Sequence, residues 1–502
     1  MKELANLARI VTLRRSKKRF LLDLDNEQAG KEEKLMQLLV ASPQASEVQI
    51  IKGLYGGNTS ANRIALRQLR GRVQVKLLNH LLFLDHSDPR FFVARRYELE
   101  CLDLLHKTTV LVMEGEYQLS ERLAKRCVQL AQEGEFTVYA EQAAYRLSVL
   151  YSERGEQQAY TAIKEVLKQL RQVMDLGREA EQLSREVRLH MVHTVAKRHD
   201  VLARVPEYLA QLEALHQQAG TFTTFVELYR LRLVYAELLG RYDDIITYTT
   251  QATELLAEGK LNARRFDKRF NQFMSVYAHL RGRRPAEGLK LAEQYAADIH
   301  PTSSNWFFYY EHFVLLALHA ASYEKALMLL HVAYRNPSFQ KQRPAALARW
   351  ELLEAYIELV QPPDHLPPRR HSQLAVFAAL TVPEYTRDKR GHNVAILVFQ
   401  LLHYLQQRVL EAVLSRLERL RKYQQRHLRD AASLRSRTFL RLLLLLPEAE
   451  FDAAELGRRS GKLLDQLRQA PLTGEAEAEI EIIPYEDLWK FTLDTLRKGK
   501  PE

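Results

Sequence analysis

The sequence predicts an all-α chain assembled as a stack of antiparallel helical hairpins. Three observations lead there. Glycine and proline are sparse, 19 and 16 in 502 residues, so turns are few and short. Apolar residues recur at steps of three and four through most of the chain, the period of a helix with one buried face. A set of aromatic and small residues then recurs about every 40 residues, within the range of helical-repeat proteins.

The clearest unit is Trp306 to Pro337, WFFYYEHFVLLALHAASYEKALMLLHVAYRNP, two helices joined at Ala321-Ser322-Tyr323. Tyr323 and Ala326 open the second helix, and Leu330 and Ala333 follow on the same face. Alanine at 326 and 333 lets the two backbones approach closely. Tyr310, on the first helix, covers the open side of the hairpin. Asn336-Pro337 ends the second helix, because proline lacks the amide and clashes with the preceding turn. The order recurs at Tyr229, Gly240, Tyr242, Ile245, Thr249 and Ala252. Its second half recurs at Gly115, Tyr117, Ser120, Ala124 and Cys127. Turns are expected near 115, 155, 199, 240, 283 and 322, the one at His199-Asp200 being degenerate.

This order of aromatic, turn, aromatic, small, large, small, proline resembles the tetratricopeptide-repeat (TPR) family. The resemblance implies a right-handed α-solenoid of TPR-like hairpins, of a bacterial type with repeats longer than the family's roughly 34 residues. It also implies that Tyr117, Ser120, Cys127, Tyr229, Tyr242, Ala252, Tyr310, Tyr323, Ala326 and Ala333 pack the repeats.

Taken in order, residues 1–92 form an N-terminal helical unit. Its first 29 residues read as a basic amphipathic helix with a cluster at Arg14, Arg15, Lys17, Lys18 and Arg19. A three-helix unit follows: Lys31 to Ala41, a helix capped by Ser46, and a third from Thr59 or Ser60 to Leu84. Leu66, Leu69, Val73 and Leu77 share one side of that third helix. Arg63, Arg67 and Arg70 share another, with Arg72 and Lys76 near its edge and no acid between. This outline is that of a helix-turn-helix, and it resembles bacterial regulators that place a winged helix before a TPR-like domain. The resemblance implies nucleic-acid contact by Arg63, Arg67, Arg70 and Arg72. It departs at the wing, where LLNHLLFL continues the helix.

Residues 93–360 hold the repeats. The expected pairs are 97–113 with 119–132, 138–151 with 159–174, 178–197 with 206–217, 222–239 with 245–256, 263–280 with 286–297, and the Trp306 unit. A seventh begins at Ala345. Residues 361–391 open with QPPDHLPPRR and read as a proline-rich connection around a short helix, His371 to Leu380. Residues 392–502 form basic helices and a cap. Between Arg408 and Arg441 lie ten Arg or Lys against three acids, the larger part of the formal net charge of +11. Glu479 to Pro484, EIEIIP, alternates like one short strand, and Tyr485 to Leu496 is an amphipathic helix.

No phosphate loop, H-E-x-x-H, G-x-S-x-G or C-x-x-C occurs, so no catalytic, metal or cofactor-binding residue is assigned. His190 and His193 lack a third ligand. Cys101 and Cys127 read as reduced buried thiols. No run reaches the ~18 apolar residues of a membrane span, and the start lacks a secretion signal, which points to the cytoplasm. The TPR family's peptide-terminus clamp uses lysines and asparagines. This chain has Phe273, Glu311, His312, Arg349 and Trp350 at comparable places. The favoured reading is a non-enzymatic scaffold that receives a peptide or protein on a concave face lined by the first helix of each pair. The alternative is a DNA-binding transcriptional regulator with a helix-turn-helix in front. A third reading puts nucleic acid on the C-terminal basic helix.

Overall fold

The computed structural model describes residues 30–41, 45–80, 93–191, 195–361, 393–428, 433–472, 474 and 481–498. Among them are twenty α-helices and no strand. The chain divides into two compact units, Met1–Arg171 and Gln172–Glu502.

In the first unit, α1 (Lys31–Ala41), α2 (Glu47–Tyr55) and α3 (Ser60–His80) close a small core of Leu35, Ile51, Leu66, Leu69 and Val73. Ser46 caps α2 by a reciprocal box with Gln49. Next come α4 (Val93–Met113), α5 (Tyr117–Glu133), α6 (Thr137–Glu153) and the start of α7 (Gln157–Met191). Consecutive helices from α4 to α6 pack on one another, and α4 also touches α6. Ser120, Ala124, Cys127 and Ala131 are fully buried along α5. These small side chains let α4 approach closely, so that Ser120 Oγ donates to the Thr108 carbonyl at 3.2 Å.

The second unit takes the rest of α7 and continues with α8 (Val195–Ala219), α9 (Phe222–Leu238), α10 (Tyr242–Ala257), α11 (Lys268–Arg281) and α12 (Pro285–Tyr295). Then follow α13 (Ser304–His319), α14 (Tyr323–Arg335), α15 (Pro344–Val360), α16 (Asn393–Gln406), α17 (Leu410–His427), α18 (Leu434–Glu448), α19 (Ala453–Gln469) and α20 (Tyr485–Arg497). From α8 onward each helix packs on its neighbours in sequence, except that α20 also meets α16; α11 touches α13. The largest core runs from α11 to α20 and includes Trp306, Trp350, Phe399, Phe439 and Trp489. Gly288 matters to it: a Cβ there would lie 2.7 Å from His279 Cβ and 2.8 Å from Leu316.

One turn geometry joins most hairpins. Gly115, Glu135, Gly155, Gly240, Arg283, Ala321 and Arg408 all adopt positive φ, between 53° and 74°. At each, the amide of the next residue bonds the carbonyl five positions back, at 2.7–3.1 Å. This is the left-handed helix stop that satisfies otherwise unpaired terminal carbonyls. Five of the expected turns fall on it; at His199-Asp200, however, α8 is continuous helix. Neither residue there stops a helix, and residues 192–194 lie outside the described residues.

Three further expectations differ. The break expected between Met174 and Arg178 does not occur, since α7 is one helix of 35 residues. Leu176, Ala180, Leu183 and Val187 keep one face buried through it, and a single mid-helix glycine, Gly177, costs only about 1 kcal/mol. The described part of EIEIIP is not a strand: Ile482 and Ile483 are buried in a bend beside α20. Helix α19 was not anticipated, although Asp452 caps it by accepting from the Ala454 and Glu455 amides. The expected elements at 1–29 and 371–380 lie outside the described residues, as do most of the 361–391 connection and residues 81–92 of the N-terminal unit.

Candidate functional site

The first helices of successive pairs in the second unit, α9, α11, α13 and α15, share one wall of a cavity of about 590 Å³. Helical spacing sets what they present. Phe273 and Tyr277 stand one turn apart on α11, and Phe308 and His312 one turn apart on α13. The His312 ring meets Phe273 edge-on at 5.1 Å and Tyr277 at 5.9 Å. Phe308 remains 56% exposed, an aromatic side chain held open at the cavity.

Polar groups on this wall are paired with one another. Arg349 of α15 forks onto Glu311 of α13, at 2.8 and 3.1 Å. The Tyr277 hydroxyl donates to Glu237 at 2.8 Å. Burial first, and then the Glu237 charge, push that hydroxyl above its ordinary range, so it stays a donor. His312 donates from Nδ1 to the Phe308 carbonyl, and burial holds its ring below the usual imidazole value. The ring is therefore neutral, and its Nε2 is an acceptor.

The opposite wall comes from the C-terminal region. It consists of the start of α18, Pro471, Leu472, Glu481 and Pro484. Side chains hold this region by its main chain. Arg283 donates to the Ala470 carbonyl at 3.1 Å, His319 Nε2 to the Glu481 carbonyl at 2.7 Å, and Arg435 to the Leu467 carbonyl at 2.6 Å. The Arg435 guanidinium also forks onto both Glu481 and Glu486. Burial alone would raise the Glu486 carboxyl, but the hydrogen bonds and charge of Arg435 outweigh it and hold it below its ordinary value. Backbone contact is close as well. A Cβ on Gly474 would sit 2.3 Å from the Glu237 and Leu238 carbonyl oxygens, and one on Gly240 would sit 2.5 Å from the Leu472 oxygen. Only glycine fits at Gly474.

The expected packing residues are dispersed through the cores. Ser120, Cys127, Ala326 and Ala333 are fully buried, and Tyr229, Tyr242 and Ala252 nearly so. Tyr310 and Tyr323 are half-buried. Tyr117 is 43% exposed in the first turn of α5, outside that core. Cys101 and Cys127 are buried and unbridged. Arg63, Arg67, Arg70 and Arg72 are exposed on α3 in the first unit, and Arg72 pairs with Glu32 at 3.2 Å. Of the five residues standing where the clamp would be, Phe273, Glu311, His312 and Arg349 line the cavity.

Sequence reasoning missed the C-terminal half of the site. Arg435 and Glu481 are 46 positions apart, and nothing local pairs them. Gly474 carried a signal, a glycine beside an acidic run, but its neighbours were not readable. Comparison of the chain with models of known families, with curated proteins and with solved structures finds no match. Among the described residues no helix is long and apolar enough to cross a membrane.

Proposed function

We propose that the chain is a TPR-like α-solenoid acting as a non-enzymatic, cytoplasmic interaction protein, and that the α9–α11–α13–α15 face binds an extended segment of a protein partner. One observation carries the reading: Arg283 and His319 already grip the main-chain carbonyls of another part of the chain at this cavity. Donors aimed at carbonyl oxygens recognise extended backbone whatever its side chains. The aromatic group of Phe273, Tyr277 and Phe308 adds an apolar pocket for one side chain. The alternative, a DNA-binding regulator, is less well supported, because the exposed face of α3 carries an apolar ridge beside its arginines.

The test uses an array of arbitrary dodecamer peptides probed with the full chain, with hits remeasured by fluorescence anisotropy. Phe308→Ala should weaken the hits at least tenfold, while Tyr160→Ala, exposed on α7 in the first unit, should leave them unchanged. Binding that ignores Phe308 and Arg349 would remove the site from this face.

A further inference from the structure

The third helix of the small N-terminal unit carries a second surface, independent of the cavity. Its buried side is Leu66, Leu69 and Val73. On the far side Ile64, Gln68, Gly71, Val75 and Leu78 follow at steps of four, three, four and three, which aligns them along one ridge. Ile64 is 57% exposed, Val75 51% and Leu78 55%. Apart from the helix's own neighbouring backbone, no atom lies within 4 Å of where a Gly71 Cβ would be, so a partner backbone can come close at the middle of the ridge.

Charge flanks this ridge. Arg63, Arg67 and Arg70 run along one edge, all exposed. Arg63 bonds the neutral Asn58 at 2.9 Å, and among the described residues no acid pairs with the three. Arg72 and Lys76 lie on the other edge, where the single carboxylate of Glu32 serves both. The helix has five cations and no acid of its own.

We propose that α3 docks an amphipathic helix of a protein partner whose apolar stripe is bordered by acidic residues. The apolar ridge supplies the contact and the arginine edge selects the sign of the partner's flanks. A second copy of this chain is disfavoured, because face-to-face packing would set Arg63, Arg67 and Arg70 against their own equivalents. A phosphate backbone would leave Ile64, Val75 and Leu78 facing its charges.

The experiment measures binding of the full chain to three synthetic helical peptides sharing one leucine stripe, with flanks of Glu, Gln or Lys. The Glu peptide should bind at least tenfold more tightly than the Gln peptide, the Lys peptide should not bind, and added salt should narrow the difference. Ile64→Glu with Val75→Glu should abolish binding. Gly71→Glu, which touches no core atom, is a second variant should that pair perturb folding, and melting curves check both. Equal affinity for the three peptides, no binding of the Glu peptide at about 100 μM, or indifference to Gly71→Glu would overturn the proposal. So would tight binding of a 20-base-pair duplex that is lost on replacing the three arginines but unaffected by Gly71→Glu, which would assign the helix to nucleic acid.

Discussion

Arg435 shows how much a single side chain can organise. Its guanidinium is nearly buried, spends its donors on two carboxylates and a carbonyl, and stacks over Tyr485. Arg435→Ala strands Glu481 and Glu486 without their shared cation, and should cost about 3–5 kcal/mol in a denaturant melt. Arg435→Lys keeps the charge but cannot fork to both acids, so its melt should fall between the two. If alanine and lysine behave alike, the charge contributes nothing and only the fork matters. His319 gives a pH signature. Burial lowers its pKa from 6.5, so the unfolded chain binds a proton more readily than the folded one. Its contribution is complete above pH 6.5 and is lost as pH falls toward the depressed value. Glu486, also depressed, adds a loss below its ordinary 4.5. Amide protection across residues 481–497, taken relative to the intrinsic exchange rate at each pH, should therefore fall on acidification from pH 7, and His319→Gln should remove the earlier of the two steps. An exchange rate in this segment that follows only the intrinsic pH dependence would count against both groups.

At the scale of elements, the hairpins were legible because a turn and a packing pair are local. Gly115, Gly155 and Gly240 are in the left-handed region that their sequence positions suggest. Glu135, Arg283 and Ala321 do the same without glycine, at a cost of about 1–2 kcal/mol each, and no residue type announces them. In two of these turns the glycine, Gly134 or Gly282, stands one position early, in right-handed or near-helical conformation. That offset explains why a turn could be placed near 283 while its residue could not. Helix α7 was misread for a related reason, since a glycine without a neighbouring stop signal does not end a helix. Packing supplies the test. Ala326 is fully buried, so Ala326→Leu should overpack α13 against α14 and cost about 1–3 kcal/mol. An unchanged melt would mean that α14 rolls to accept the larger side chain. Gly155→Ala introduces no clash but keeps the positive φ, and should cost about 1 kcal/mol, readable in the same assay.

At the scale of the whole molecule, half of the candidate site was legible and half was not. The first-helix wall could be foreseen from periodicity, because the residues that line it belong to hairpins built from nearby sequence. The other wall depends on Glu481 and Gly474 meeting helices some 160–240 positions earlier, as in the His319–Glu481 contact and the approach of Gly474 to Glu237, and no local pattern encodes that return. The return is nonetheless part of the core. Leu488 and Trp489 of α20 are almost completely buried, and Tyr485 stacks on Phe439 at 4.4 Å. Helix α20 therefore serves as core for α16 and α18 as well as anchoring the cavity wall. Removing residues 485–502 should uncover apolar surface on both, because each fully buried side chain of this size contributes about 1.5–3 kcal/mol. Hydrogen exchange should then rise through α16, α18 and α19, while the first unit, with cores of its own, keeps its protection. The truncated chain should also bind more of an apolar dye. If protection falls equally in α4–α6, the two units unfold as one. If it falls nowhere, α20 is an appendage, and the wall built on Glu481 and Pro484 must be held by Arg435 and His319.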